Sequence, residues 1–417
     1  MPSFNGPRVR SAYAGPVLRV GLVRLVDAAP VLVARELGFL ADEGVDIRLS
    51  VEPSWANVAD KITYGLIDAA IMLPPLAIAV SLGLRGSAMP LVVPISLGLN
   101  GNTVTLTADL AGDIRAGDPE RPAALEASRR FAALLRARRR CCAPGKPRIA
   151  VVHAFSTHNL LLRHWLAAGG IDPDNDVMLT VVPPAEMVDQ LSDGRIAGFC
   201  AGAPWGAIAA RAGVGETAVT TAEIWEHHPE KVLAVRSSWA STHPETLQGV
   251  LRGLLRAARF CEAPENASRI MAILARNDML ALDASAVLGS LPGAAAGNSV
   301  FFANAATFPW RSHALWFLHQ MARWGYLARD TVDAPAVAAD LYRPDLYAAA
   351  AASLGLPVPL RDTKTEGEHP AAWHLPAYPS DIAMGPDRFC DGASFDPAAA
   401  FTPPWRAAAG RHADPSR

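Results

Sequence analysis

Three side chains in this chain have the right types to hold something small: Trp55, His158 and Lys231. Thr157-His158-Asn159 opens a helix-like stretch, and Lys231 closes the run His227-His228-Pro229-Glu230-Lys231. A small oxyanion needs fixed hydrogen-bond donors, a positive charge and an apolar wall for its flat face. Helix N-termini add free N–H groups and a partial positive charge. At a predicted helix start, His158 can donate and, if protonated, adds charge. Lys231 at a strand edge offers a compact fixed charge, and Trp55 the wall. Alone, each has a plainer explanation: a structural histidine, a surface lysine, a core indole. Only their convergence makes a site.

Catalytic signatures are missing. The chain has no Gly-x-Ser-x-Gly elbow, His-Glu-x-x-His, phosphate-cradling Walker loop or Gly-x-Gly-x-x-Gly after a strand. Asn100-Gly101-Asn102 reads as a turn, and the acidic residues are scattered without a convincing acid/base pair. No enzyme, cofactor or metal site is expected. With 417 residues, 51% hydrophobic and 19% charged, the chain can build a large core, and its net charge of −2 gives no general pull toward nucleic acid or anionic membrane. Lys61, Lys146, Lys231 and Lys364 are its four lysines, so a lysine is a choice in a chain that otherwise uses arginine. The five cysteines show no disulfide or zinc spacing; vicinal Cys141-Cys142 is the one candidate redox pair. The first thirty residues lack an uninterrupted apolar stretch with a cleavage site, so a cytoplasmic location is expected.

The elements that must position these residues alternate. Val17–Leu25, Val45–Val51 and Asp68–Leu73 read as strands around helices at Pro30–Glu43 and Trp55–Tyr64. The plan recurs with strands at Arg148–Val152, Val177–Val182 and Ile196–Ala201 and helices at Thr157–Ala168 and Ala185–Ser192. This predicts an α/β fold of two similar lobes with parallel sheets and a ligand cleft beyond the carboxyl ends of the strands. Trp55 and His158 would then sit at equivalent mouths. The expected boundaries are 17–110 and 236–354 for the first lobe and 147–235 for the second. A linker with an arginine-rich helix at 111–146 and a wrapping or mobile tail at 355–417 complete the plan. The six arginines between 129 and 140 read as a solvated face, or as a docking patch for an acidic partner or RNA, the RNA version lacking interleaved aromatics.

Several motifs resemble one family. They are Asp27-Ala28-Ala29-Pro30, Ser54-Trp55, Gly170-Ile171-Asp172-Pro173, Val182-Pro183-Pro184-x-x-Met187-Val188, Phe199-Cys200-x-Gly202-x-Pro204-Trp205, His228-Pro229-Glu230-Lys231 and Phe308-Pro309-Trp310-x-Ser312-His313-Ala314. Over about residues 17–330 the chain resembles the nitrate- and bicarbonate-binding proteins of ABC transporters (the NrtA/CmpA group). Within that group it is similar to the cytoplasmic nitrate/nitrite sensors of the NasS type. The resemblance implies a two-lobed fold of the periplasmic-binding-protein kind (type II) and a nitrate or nitrite site made by Trp55, Asn102, His158 and Lys231. It also implies a partner, an ANTAR-domain RNA-binding antiterminator (NasT-like) sequestered until the anion binds. The alternative is the substrate-binding component of an ABC transporter. Two departures stand out: Asn102 replaces the usual glutamine, and Ala203 replaces a glutamate before Pro-Trp. Relatives of this fold also include synthases that attach pyridoxal phosphate to a lysine, but their cysteine-rich motif has no match here.

Overall fold

The computed structural model describes residues 16–140, 145–294, 298–328 and 331–401. Cys141-Cys142, the first fifteen residues and the end of the tail lie outside them.

Ten strands form two five-stranded sheets. In chain order they are β1 (Leu18–Val23), β2 (Ile47–Glu52), β3 (Ala69–Met72), β4 (Leu91–Leu99) and β5 (Asn102–Thr107). Next come β6 (Arg148–Val151), β7 (Met178–Val181), β8 (Gly198–Gly202), β9 (Gly215–Thr220) and β10 (Pro229–Arg236). The first sheet runs β2-β1-β3-β10-β4 and the second β7-β6-β8-β5-β9, so the two lobes share one plan. In each sheet the first three strands are parallel and the fourth runs antiparallel to both its neighbours. The sheets are therefore mixed, not wholly parallel as expected. The reason is topological: each fourth strand enters its sheet directly from the other lobe, without the crossover helix that a parallel neighbour needs.

The chain crosses between sheets at 100–102 and again at 228–229. Sheet membership thus moves the expected boundaries at 110 and 235: β5 belongs to the second lobe and β10 to the first. Asn100 at φ +60° and Gly101 at φ +88° make the first crossing, which is the work of the Asn-Gly-Asn turn signal. His227, at φ +57°, precedes the second. The two crossings lie side by side, with Asn100 N donating to His228 O at 3.0 Å.

The stretch expected as a linker is part of the second lobe. Ala124–Arg140 is a helix whose buried Ala124, Ala127, Ser128, Phe131, Ala132 and Leu135 face the helix Thr157–Ala168. Phe131 stacks on Trp165 at 6.2 Å, Ser128 Oγ donates to Trp165 O at 2.6 Å, and Trp165 Nε1 donates to Ala124 O at 2.7 Å. Its arginines lie on the other side, where Arg130 pairs with Asp118 at 2.7 Å and Glu126 at 3.0 Å.

Helices Pro244–Glu262 and Ala267–Leu274 pack back on the helix Ala29–Glu36 of the first lobe. The described tail wraps behind the crossings. Phe389 stacks on Trp225 at 4.7 Å, and Arg388 grips Glu226 with contacts of 2.8 and 2.9 Å. Further back, Glu366 accepts from Ser312 Oγ at 2.7 Å. Among the described residues no helix is long and apolar enough to cross a membrane.

Candidate functional site

Both lobes present helix starts to the cleft. After β2 the chain turns at Ser54, whose hydroxyl accepts from Asn57 N at 3.3 Å, and Trp55 becomes the first residue of the helix Trp55–Thr63. After β6 the same device recurs: Ser156 accepts from Asn159 N at 3.0 Å, placing Thr157 and His158 in the first turn. In each case the serine N-cap satisfies a first-turn N–H and fixes where the helix starts. The two positions are not equivalent, however. By sheet order β6 corresponds to β1 and β7 to β2. The counterpart of His158 is thus the turn after β1, where Asp27 stands, while Trp55 matches the region after Pro184. The helix Trp55–Thr63 is thus matched by Met187–Ser192, and the expectation that Trp55 and His158 sit at equivalent mouths does not hold.

The fourth strands bring in the rest. Lys231 lies near the start of β10 and Asn102 begins β5, each at the cleft end of its sheet. Trp55, His158 and Lys231 have no exposed surface, and Asn102 is 1% exposed. The structure brings all four together. Lys231 Nζ lies 5.4 Å from the centre of the Trp55 ring. It contacts Asp27 Oδ2 at 2.8 Å and, more closely still, Glu230 Oε1. Asn102 Nδ2 donates to Glu230 Oε2 at 2.6 Å, and His158 Nε2 stands 3.5 Å from Glu230 Oε1. Glu230 therefore joins the lobes.

Asp27 and Glu230 were not singled out from the sequence, although each sits inside a motif quoted above. Their convergence on one ammonium corrects the reading of the acidic residues as scattered, and the lining is not simply cationic. Gly202 packs closely on this centre, since a Cβ there would lie 3.2 Å from Asn102 Oδ1, tighter than ordinary contact.

Burial sets the charges. It disfavours ionised Lys231, but Asp27 and Glu230 outweigh it and hold the ammonium above its ordinary range. Burial also pushes Glu230 up, yet Lys231, His158 and His228 together bring it below the usual carboxylate value. For Asp27 burial wins: its carboxyl stays raised despite Lys231, with Glu230 adding to the rise. Burial drives His158 down to about 3, so it is a neutral ring at ordinary pH and not a second cation. His228, held between Thr221 Oγ1 at 2.7 Å and Pro229 O at 3.0 Å, is lowered to about 4 by burial.

Several buried polar atoms here have no hydrogen-bond partner: Trp55 Nε1, Thr157 Oγ1, both ring nitrogens of His158, Asn102 Oδ1 and Asp27 Oδ1. Buried polar groups are normally paired, so a cluster of orphans from both lobes marks a place for a polar guest. No group of three or more His, Cys, Asp or Glu among the described residues could hold a metal ion. Outside this centre, a cleft of about 330 Å³ opens between the lobes, lined by Arg24, Glu52, Pro183, Pro184 and Trp205 among others. Val26 N donates to Ala203 O at 3.0 Å, so position 203 joins the lobes through backbone.

The model of the NMT1-like family matches residues 13–275. The chain belongs to this family. Among NMT1-like relatives, the nitrate/nitrite binding protein NrtA of Synechococcus elongatus is 32% identical over 91% of this chain and 83% of its own length. The bicarbonate transport ATP-binding protein CmpC of the same species is 35% identical, but the match covers 74% of this chain and 45% of CmpC. The crystal structure of the periplasmic nitrate-binding protein NrtA from Synechocystis superposes with a TM-score of 0.78 at 26% identity, covering 92% of this chain and 96% of that one. An alkanesulfonate-binding SsuA from Xanthomonas axonopodis shares the fold, with a TM-score of 0.56 at 15% identity. The fold is thus the two-lobed periplasmic-binding-protein type.

Proposed function

We propose that this chain binds nitrate or nitrite, without transforming it, between its two lobes. The observation that carries this reading is the set of buried unpartnered polar atoms beside a fully buried ammonium: Trp55 Nε1 and the His158 ring, with Thr157 Oγ1 next to His158 in the same helical turn. Lys231 supplies the fixed charge, His158 a neutral directional donor, and Trp55 both wall and donor. Asn102 acts by fixing Glu230 across the lobes. Because the contacts come from both lobes, the anion stabilises the closed form over any open one. The names of the nitrate-binding relatives support the same ligand class.

Bicarbonate is the second reading, and one observation favours it: Asp27 Oδ1 is a buried acceptor with no partner, which the hydroxyl of bicarbonate could use. Titration calorimetry of the whole chain with nitrate, nitrite, bicarbonate and an alkanesulfonate separates the two. Saturable nitrate or nitrite binding is expected; bicarbonate binding without either overturns the ligand.

For what reads the closed form, relatives named as transport components support delivery to an ABC permease. The sequence reading adds a finer proposal, a cytoplasmic sensor that sequesters an ANTAR-domain antiterminator until the anion arrives. Such coupling is reciprocal and typically about 1–3 kcal/mol, so nitrate must weaken the complex by the factor by which the partner weakens nitrate binding. Fractionation of cells, with capture of an ANTAR protein that nitrate releases, tests it; a periplasmic protein with no such capture sinks the sensor.

A further inference from the structure

We propose that the protein binds its anion together with one proton, and that Asp27 is the carboxyl that takes it. The inference rests on the nitrate or nitrite reading above and deepens it. Asp27, Glu230 and Lys231 form one knot, with Lys231 touching both carboxylates and no solvent-exposed surface on its side chain. With all three ionised the knot carries two negative charges and one positive. A monovalent oxyanion entering beside it adds a second uncompensated negative charge where water cannot screen it. Like charges at such spacing push one another toward the neutral form.

Geometry decides which carboxylate yields. Both oxygens of Glu230 are engaged, Oε1 by Lys231 and Oε2 by Asn102, with His158 at 3.5 Å. Asp27 uses Oδ2 alone, toward Lys231, and its Oδ1 has no partner. A proton on Oδ1 turns that idle acceptor into a donor, which an acceptor-only ligand such as nitrate can use. Lys231 and Glu230 are the charged groups facing Asp27. His158, His228 and the buried Cys200 thiol complete the titratable groups around the knot. The rings resist protonation, and burial already raises Asp27 before any anion arrives. The step balances simply: a proton from solvent forms an O–H bond at Oδ1, and nothing is oxidised or reduced.

Calorimetry of nitrate binding to the full chain, in PIPES and in Tris between about pH 6 and 9, counts the proton through the difference in buffer ionisation heats. About one proton should be taken up per nitrate, and Kd should rise up to about tenfold per pH unit between the free and bound pKa values of the carboxyl. Asp27→Asn should bind with no proton uptake and a flat pH profile. Nitrate binding without uptake overturns the proposal while leaving the ligand reading intact, whereas no nitrate or nitrite binding at any pH overturns both. Should Asp27→Asn fail to fold, His158→Gln decides: uptake must persist there, and its loss moves the proton to the imidazole.

Discussion

Placed at equivalent positions of one plan, the two lobes bring opposite kinds of chemistry to the cleft. After the first strand the first lobe offers Asp27 and the second offers His158; at the start of the fourth strand the first offers Lys231 and the second Asn102. One lobe holds the ionised groups, and the other holds groups that polarise without charge. Ion pairs within a single lobe can stay satisfied whether or not the cleft is open. Neutral donors can be left facing water at little cost and still give direction to a guest. The two lobes share one frame, and the different residues at two matched positions divide charge from geometry.

Lys231→Ala should break that division most severely. It leaves the buried Glu230 and the mostly covered Asp27 without their cation, so stability should fall by about 3–5 kcal/mol, with nitrate affinity lost by more than about a hundredfold. Chemical denaturation and calorimetry read both effects, and near-wild-type binding would show that the charge lies elsewhere.

The neutrality of the second lobe can be tested by acid. His153 and His228 are lowered to about 4 and His158 to about 3, each chiefly by burial. An unfolded histidine takes its proton near pH 6.5 while the folded ring refuses it. Stability contributed by these rings is therefore whole above that pH and falls as pH drops, by about 1.4 kcal/mol per unit for each ring until its folded pKa is reached. Denaturation midpoints measured between about pH 7 and 5 should decline; constancy over that range would mean that the rings are already charged in the fold.

Smaller losses should follow in the second lobe. Asn102→Ala strips Glu230 Oε2 of its donor, and His158→Gln replaces the ring; each should weaken nitrate by roughly ten- to a hundredfold, the cost of a hydrogen bond to a charged group. If either exceeded Lys231→Ala, the proposed division of labour would be reversed. Trp55→Phe keeps the wall and removes only the indole N–H, for a loss of about three- to tenfold. Least affected should be Arg388→Ala behind the crossings, where an ion pair with a half-exposed guanidinium contributes about 1 kcal/mol or less and anion affinity should hold.

Much of the frame was legible because strand and helix periods are local properties. Val17–Leu25, Trp55–Tyr64 and Thr157–Ala168 announce themselves through apolar spacing and caps. What local pattern could not show was which sheet a strand joins. Thr103–Thr107 and Val232–Val235 look like continuations of their own halves, and only pairing across the crossings reveals the exchange. The helix 124–140 carries, opposite its arginines, an apolar row at positions 124, 127, 131, 132 and 135, and that row makes it a wall of the second lobe in place of the expected linker. At the centre, Trp55, His158 and Lys231 stood out by type, while Asp27 and Glu230 did not. A carboxylate is an unexpected neighbour for an anion, and its relevance emerges only once Lys231 is seen to need compensation.

The two crossings at 100–102 and 228–229 adjoin Asn102, Glu230 and Lys231 directly. On the proposed reading, the guest would be gripped almost at the fulcrum. A slight rotation suffices to seat an ion of three or four atoms, while the far rims, like the tips of long-handled tweezers, sweep a much wider arc. Whatever senses the state of this molecule has most to gain by touching those rims.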